Sequence, residues 1–121
     1  MIVIKDKKAI EKMSMAGKLL SGIFQSLNDI IKPGVSTAEI DSWISLNLIK
    51  NNLKTTMLGY CGYKHVSCIS LNDEVVHGVP SSEKILNEGD LIKVDVCASW
   101  NGYCADMARS YIVSSSLKSV N

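Results

Sequence analysis

One stretch of this sequence, from Leu91 to Val113, constrains the fold more than any other. It contains Asn101-Gly102 between two segments of alternating residues, and this dipeptide favours a two-residue type I′ turn because both turn positions need a positive φ. A β-hairpin built on that turn pairs Trp100 with Tyr103. The register of both strands then follows from the turn.

The predicted register places two aspartates on one face of the hairpin. Asp95 lies opposite Ala108 and Cys97 opposite Asp106, and all four share a face because side chains alternate along a strand. Neighbouring carboxylates raise each other's pKa, and a cation between them relieves the repulsion. Their oxygens suit Mn²⁺, Mg²⁺, Fe²⁺ or Zn²⁺. The alternatives are that both aspartates are simply solvated, or that a one-residue bulge separates them.

Two amphipathic helices are predicted before the strands. Asp6 is a candidate N-cap for the first, which ends at Lys32-Pro33-Gly34 because proline disfavours helix in the preceding residue. Its apolar stripe is Ile10, Met13, Gly17, Leu20, Phe24, Leu27 and Ile31. Ser36-Thr37-Ala38-Glu39 is a capping box that opens the second helix. The inward residues of that helix are Ile40, Trp43, Ile44 and Leu48.

Strands follow the helices, which predicts an α+β fold with two helices packed on an antiparallel sheet. Thr55 to Leu58 and Val66 to Leu71 are the strands expected before the hairpin, whose buried face is Ile92, Val94, Val96 and Ala98. Residues 1–113 form one domain, and the Ser-rich tail 114–121 is expected to fray.

Composition excludes several classes of protein. The net charge of +1 gives no electrostatic reason to expect a nucleic-acid partner. No apolar window is long enough to span a membrane, and the N-terminus is not a signal peptide. We therefore expect a cytoplasmic protein whose four cysteines are thiols.

His77 is the other candidate for chemistry. It lies in an apolar segment with Gly78 and Pro80, where it is either a hydrogen-bond donor to a substrate carbonyl or a buried structural histidine. His65 looks exposed and without a role. A weaker alternative is a mononuclear metal site, made by residues that share one face of the hairpin: Asp95, Cys97, Cys104 and Asp106.

Taken together, these motifs resemble the N-terminal half of the type I methionine aminopeptidases. The segments that carry the resemblance are Cys68-Ile69-Ser70-Leu71-Asn72, Val75-Val76-His77-Gly78-Val79-Pro80, Gly89-Asp90-Leu91-Ile92-Lys93-Val94-Asp95-Val96, Asn101-Gly102-Tyr103 and Asp106. The resemblance implies half of a pita-bread fold, an antiparallel sheet backed by helices. It also implies a metallopeptidase that removes the N-terminal methionine of nascent proteins.

The resemblance further implies a role for each matching residue. Asp95 and Asp106 would bind two divalent ions (Co, Mn, Fe or Zn), and His77 would contact the substrate near the scissile bond. The residues matching the methionine pocket are Tyr60, Tyr63 and Cys68, with Met57 at its edge. A flexible thioether suits such an apolar, aromatic and sulfur-lined pocket.

The family's remaining ligands, one histidine and two glutamates, belong to a second half that these residues do not match. Cys97 also stands where the family usually has threonine, and Ala105 and Met107 flank the second aspartate in place of its usual neighbours. The chain is thus expected to self-associate or to pair with a complementary C-terminal half. The alternative is a catalytically inactive binding module with this fold, or a truncated fragment of such an enzyme.

Overall fold

The computed structural model describes residues 7–59, 62–72 and 78–115. In this part of the chain two helices precede four strands, with these bounds: α1 (Lys7–Leu27), α2 (Thr37–Lys50), β1 (Lys54–Thr55), β2 (Ser67–Leu71), β3 (Leu91–Trp100) and β4 (Tyr103–Ile112). The strands form one antiparallel sheet on which both helices pack, so the predicted α+β plan is confirmed.

Strand β3 is the centre of this sheet. It pairs along its whole length with β4, while β2 and β1 pair with successive segments of it, Ser67 with Val96 and Thr55 with Ala98. The second predicted strand is present as β2. The first is shorter than predicted, because the Thr55 hydroxyl accepts hydrogen bonds from the amides of Met57 and Leu58 and turns the chain.

Helix α2 begins where the capping box predicts. The Ser36 hydroxyl accepts a hydrogen bond from the Glu39 amide at 3.1 Å, which satisfies one of the free donors of the first turn. Ile40, Ile44 and Leu48 are buried as predicted, so this helix packs with its apolar stripe inward.

Helix α1 differs from the prediction at Ile10 and at its C-terminal end, and its predicted N-cap, Asp6, lies outside the described residues. Ile10 is 58% exposed, because the buried face runs through Ala9 and Ile10 lies about 100° further around the helix. The helix ends at Leu27 rather than near Pro33, since Asn28 and Asp29 begin a turn in which the amides of Ile30 and Ile31 both donate to the Leu27 carbonyl.

The core lies between the helices and one face of the sheet. That face of β3 carries Ile92, Val94, Val96 and Ala98, all fully buried as predicted. On β4 the Tyr111 hydroxyl donates to the Phe24 carbonyl of α1 at 3.0 Å. The opposite face of the sheet faces away from this core and carries the candidate site.

The hairpin is entered through a turn at Gly89, whose φ is 86°. Just beyond β4, Ser115 donates from its amide and hydroxyl to the Glu88 carboxylate at 3.1 and 3.0 Å. The tail predicted to fray from Ser114 is thus held to the turn as far as Ser115, and residues 116–121 lie outside the described residues. Neither helix in the described ranges has the length and apolar content of a membrane-spanning segment.

Candidate metal and substrate site

The hairpin register is the predicted one. Trp100 pairs with Tyr103, and the pairing continues without a bulge from Leu91–Ile112 to the turn. Asn101 and Gly102 have φ values of 49° and 83°, as a type I′ turn requires. The prediction that the two aspartates share one face therefore holds geometrically.

Asp95 and Asp106 interact directly on that face. Asp95 is half-buried and Asp106 exposed, and the two carboxyl groups lie close enough to affect each other's charge. Partial burial raises the pKa of Asp95 to about 6, the neighbouring Asp106 carboxyl raises it further, and the positive charge of Lys93 acts in the opposite direction. Asp95 is therefore mostly ionised at neutral pH, and its carboxylate lies beside the carboxyl group of Asp106.

This donor set fits a hard divalent cation but does not complete a site. Carboxylate oxygens are suitable ligands for such ions. Within the described ranges, however, no three histidine, cysteine, aspartate or glutamate side chains are grouped so as to hold one metal ion. Cys97 and Cys104 share the face without completing a site, so the mononuclear alternative is not supported.

Two residues predicted for the methionine pocket lie beside this carboxylate pair. Cys68 of β2 is the direct cross-strand partner of Asp95. The Tyr63 hydroxyl donates to the Ser67 carbonyl at 2.6 Å and lies 3.5 Å from the Cys68 sulfur. Burial, followed by the contact with Cys68, raises the pKa of Tyr63, so its hydroxyl stays protonated at neutral pH.

Met57 lies near the same hairpin but is held less directly. It is half-buried and follows Thr56, whose amide and hydroxyl donate to the Cys97 carbonyl at 3.2 and 3.1 Å. Tyr60 and His77 lie outside the described residues. Gly78, which follows His77 in the sequence, lies against β2, since its carbonyl accepts the Ile69 amide at 2.6 Å.

Sequence reasoning missed Asp41, which lies on α2 and is only 8% exposed. Its Oδ1 accepts hydrogen bonds from the Val66 amide (3.1 Å), the Ser67 amide (3.0 Å) and the Ser67 hydroxyl (2.6 Å). Its Oδ2 lies 3.2 Å from Nδ1 of His65. The available signal was an acidic residue beside the apolar stripe of α2, at helical spacing from Ile44.

The same contacts correct the expectation for His65. Its side chain is 28% exposed rather than free in solvent, and it is engaged by the Asp41 carboxylate. The imidazole also meets the Tyr63 ring edge to face, with ring centroids 5.6 Å apart. His65 is thus part of the structure that surrounds Tyr63.

Comparison with known proteins agrees with the predicted resemblance. The methionine aminopeptidase of Clostridium acetobutylicum is 41% identical over 113 residues, which cover 93% of this chain and 45% of that protein. The crystal structure of the Thermotoga maritima methionine aminopeptidase has a TM-score of 0.87 at 39% identity, covering 94% of this chain and 46% of the other. That of the Rickettsia prowazekii enzyme has a TM-score of 0.88 at 32% identity.

This chain therefore spans under half the length of the relatives it matches, and the match covers nearly all of it. The predicted likeness to the N-terminal half of methionine aminopeptidases, and with it the half pita-bread fold, is confirmed. The model of metallopeptidase family M24 matches residues 11–120. The chain belongs to metallopeptidase family M24.

Proposed function

We propose that this chain carries the N-terminal half of a methionine aminopeptidase site, which removes the N-terminal methionine of nascent proteins. The observation that supports this most is that Asp95 and Asp106 are diagonal neighbours on the open face of the sheet, with Cys68 paired to Asp95. The chain belongs to a metallopeptidase family, and such an enzyme needs metal ligands and substrate-binding residues close together.

Asp95 and Asp106 are the proposed ligands of two divalent ions, with cobalt, manganese, iron and zinc as candidates. Such ions, when bound, polarise a carbonyl oxygen and lower the pKa of water. The chain's own contribution is to hold both carboxylates on one rigid hairpin, where the turn and register fix their separation. His77 is proposed to donate a hydrogen bond to the substrate near the scissile bond.

The methionine side chain is proposed to bind against Met57, Tyr60, Tyr63 and Cys68. Tyr63 and Cys68 already contact each other, which gives the pocket one preformed wall. Sulfur and aromatic groups make favourable contacts with a thioether. The protonated Tyr63 hydroxyl keeps its hydrogen bond to the Ser67 carbonyl, so this wall stays in place at neutral pH.

Two carboxylates do not complete a site for two metal ions, so further metal ligands are needed from outside the described residues. We propose that a complementary C-terminal half covers the open face of the sheet in the cytoplasm, with residues 1–113 as the matching domain. A second copy of the chain is the other candidate for this surface. Light scattering after size exclusion separates the two candidates. Self-association predicts a dimer whose fraction rises with concentration, whereas a monomer at every concentration favours the complementary half.

Mixing experiments test the proposed activity. The chain, with Mn²⁺ or Co²⁺, is combined with the separately produced C-terminal half of the Clostridium acetobutylicum relative, and release of methionine from a short methionyl peptide is measured. We expect activity only in the mixture, and its loss in Asp106→Ala. A mixture that assembles but never releases methionine contradicts the proposal.

That last outcome favours the second candidate function, an inactive module that binds peptides. The observation in its favour is that no three suitable ligand side chains are grouped within the described residues. Binding of the methionyl peptide to the chain without hydrolysis, in every metal tested, is the result that this alternative predicts.

A further inference from the structure

Asp41 connects helix α2 to both residues that form the preformed wall of the proposed pocket. Its carboxylate accepts the amides of Val66 and Ser67 and the Ser67 hydroxyl, and Ser67 is fully buried. Hydrogen bonds to an ionised acceptor are about twice as strong as those between neutral groups. The start of β2 is therefore fastened to α2 from the core side.

The contacts continue from Asp41 to Tyr63 by a second route. Asp41 bonds His65, the His65 ring meets the Tyr63 ring edge to face, and the Tyr63 hydroxyl returns to the Ser67 carbonyl. These contacts form a closed loop through Asp41, His65, Tyr63 and Ser67. A substitution at Asp41 should therefore disturb the positions of both Tyr63 and Ser67.

This closed loop of contacts also fixes the position of Cys68. Successive side chains of a strand point to opposite faces, so that Ser67 points into the core and Cys68 to the face that carries Asp95. Holding Ser67 from behind therefore sets where the Cys68 sulfur lies relative to Tyr63 and Asp95. Asp41 therefore influences the position of Cys68 through Ser67, without a contact of its own to Cys68 or Asp95 among the described hydrogen bonds.

We propose that Asp41 is a positioning residue for the methionine pocket: it holds Tyr63 and Cys68 together on the face that carries Asp95 and Asp106 by anchoring Val66 and Ser67. The identity of the pocket rests on the proposed function. The positioning itself rests only on the contacts that link Asp41 through Val66, Ser67 and His65 to Tyr63 and Cys68. The two are therefore separable by experiment.

The test uses the full chain, with Asp41→Asn and Ser67→Ala as variants. The Asp41→Asn change keeps one acceptor oxygen but removes the charge, whereas Ser67→Ala removes only the hydroxyl bond. Asp29→Asn is the matched control, because Asp29 is an exposed carboxyl in the turn after α1. Iodoacetamide labelling, resolved by mass spectrometry, gives the reaction rate of each of Cys68, Cys97 and Cys104.

We expect the labelling rate of Cys68 to rise about fivefold in Asp41→Asn and less in Ser67→Ala, because the anchoring bonds weaken locally. The rates of Cys97 and Cys104 should not change, nor should any rate in Asp29→Asn. An unchanged Cys68 rate in both variants overturns the proposal. A parallel rise at all three cysteines also overturns it, since that shows general unfolding rather than positioning.

Ligand binding gives a readout that a merely structural role does not move. Affinity for methionine amide, followed by NMR, should fall in Asp41→Asn while affinity for Mn²⁺ stays at the wild-type value. Equal loss of both affinities contradicts a positioning role. If the wild-type chain does not bind methionine amide but Cys68 labelling still rises selectively, the proposed pocket is wrong and the anchoring by Asp41 stands.

Discussion

Asp95 and Asp106 are diagonal neighbours on one face of the hairpin, and the Asp106 carboxyl helps to raise the pKa of Asp95 although neither faces a carboxyl directly across the hairpin. Their direct partners are Ala108 and Cys97. Asp95 is the more buried of the two, and partial burial followed by the interaction with Asp106 raises its pKa. The pair is thus a place where a proton and a metal ion compete.

The variant Asp106→Asn should lower the pKa of Asp95 from about 6 toward the ordinary value of 3.8. The pKa should fall only part of the way, because the partial burial of Asp95 is the largest cause of the raised pKa and is unchanged in this variant. Carboxyl ¹³C titration by NMR measures it. Lys93→Gln is the opposing control, since loss of its positive charge should raise the pKa of Asp95. An unchanged Asp95 titration in Asp106→Asn contradicts the coupling.

The raised pKa also predicts how stability depends on pH. The folded chain holds the Asp95 proton more tightly than the unfolded chain, so this group's contribution is complete below about pH 4 and is lost as pH rises through about 6. After allowance for its partial exposure, the loss is about 1 kcal/mol. Urea unfolding at pH 4.5 and 7.5 should show a smaller loss in Asp106→Asn than in the wild type.

The comparison with Asp29→Asn separates this effect from the titration of other carboxyl groups, because Asp29 is exposed. That variant should keep the wild-type dependence on pH. If the unfolding free energy falls by the same amount between pH 4.5 and 7.5 in Asp106→Asn as in Asp29→Asn, the interaction between Asp95 and Asp106 does not cause the pH dependence.

Mn²⁺ should stabilise the folded chain through the same pair. At a concentration a hundredfold above its dissociation constant, a ligand that binds only the folded state raises the free energy of unfolding by about 2.7 kcal/mol. Asp95→Asn and Asp106→Asn should each abolish this rise, which thermal unfolding with and without Mn²⁺ measures. The rise should also weaken below pH 6, where Asp95 is protonated. If Mn²⁺ raises the free energy of unfolding of Asp106→Asn as much as that of the wild type, the ion binds at another site.

The features that could be predicted from sequence are those fixed by neighbours in the chain. The Asn101-Gly102 turn sets the register of β3 and β4, and Ser36 caps α2 through a residue three positions away. Both outcomes depend on local backbone geometry and strand alternation, which a single sequence displays.

What could not be predicted depends on contacts between distant segments. Asp41 and His65 are 24 residues apart, and only the packing of α2 behind β2 brings them together. The exposure of Ile10 likewise depends on which side of α1 the sheet covers. Periodicity predicts that a helix has an apolar face, but tertiary packing decides where that face is centred.

Gly78 offers a test of how closely the segment after His77 packs against the site. A Cβ atom added there would lie 1.9 Å from the Ile69 carbonyl oxygen, so Gly78→Ala must displace backbone. We expect a loss of about 2–4 kcal/mol in the free energy of unfolding, measured with urea. Gly22→Ala in α1 is the matched control: it meets open space and should stabilise the chain by up to about 1 kcal/mol. Equal stability of Gly78→Ala and wild type would show that Gly78 does not lie against β2.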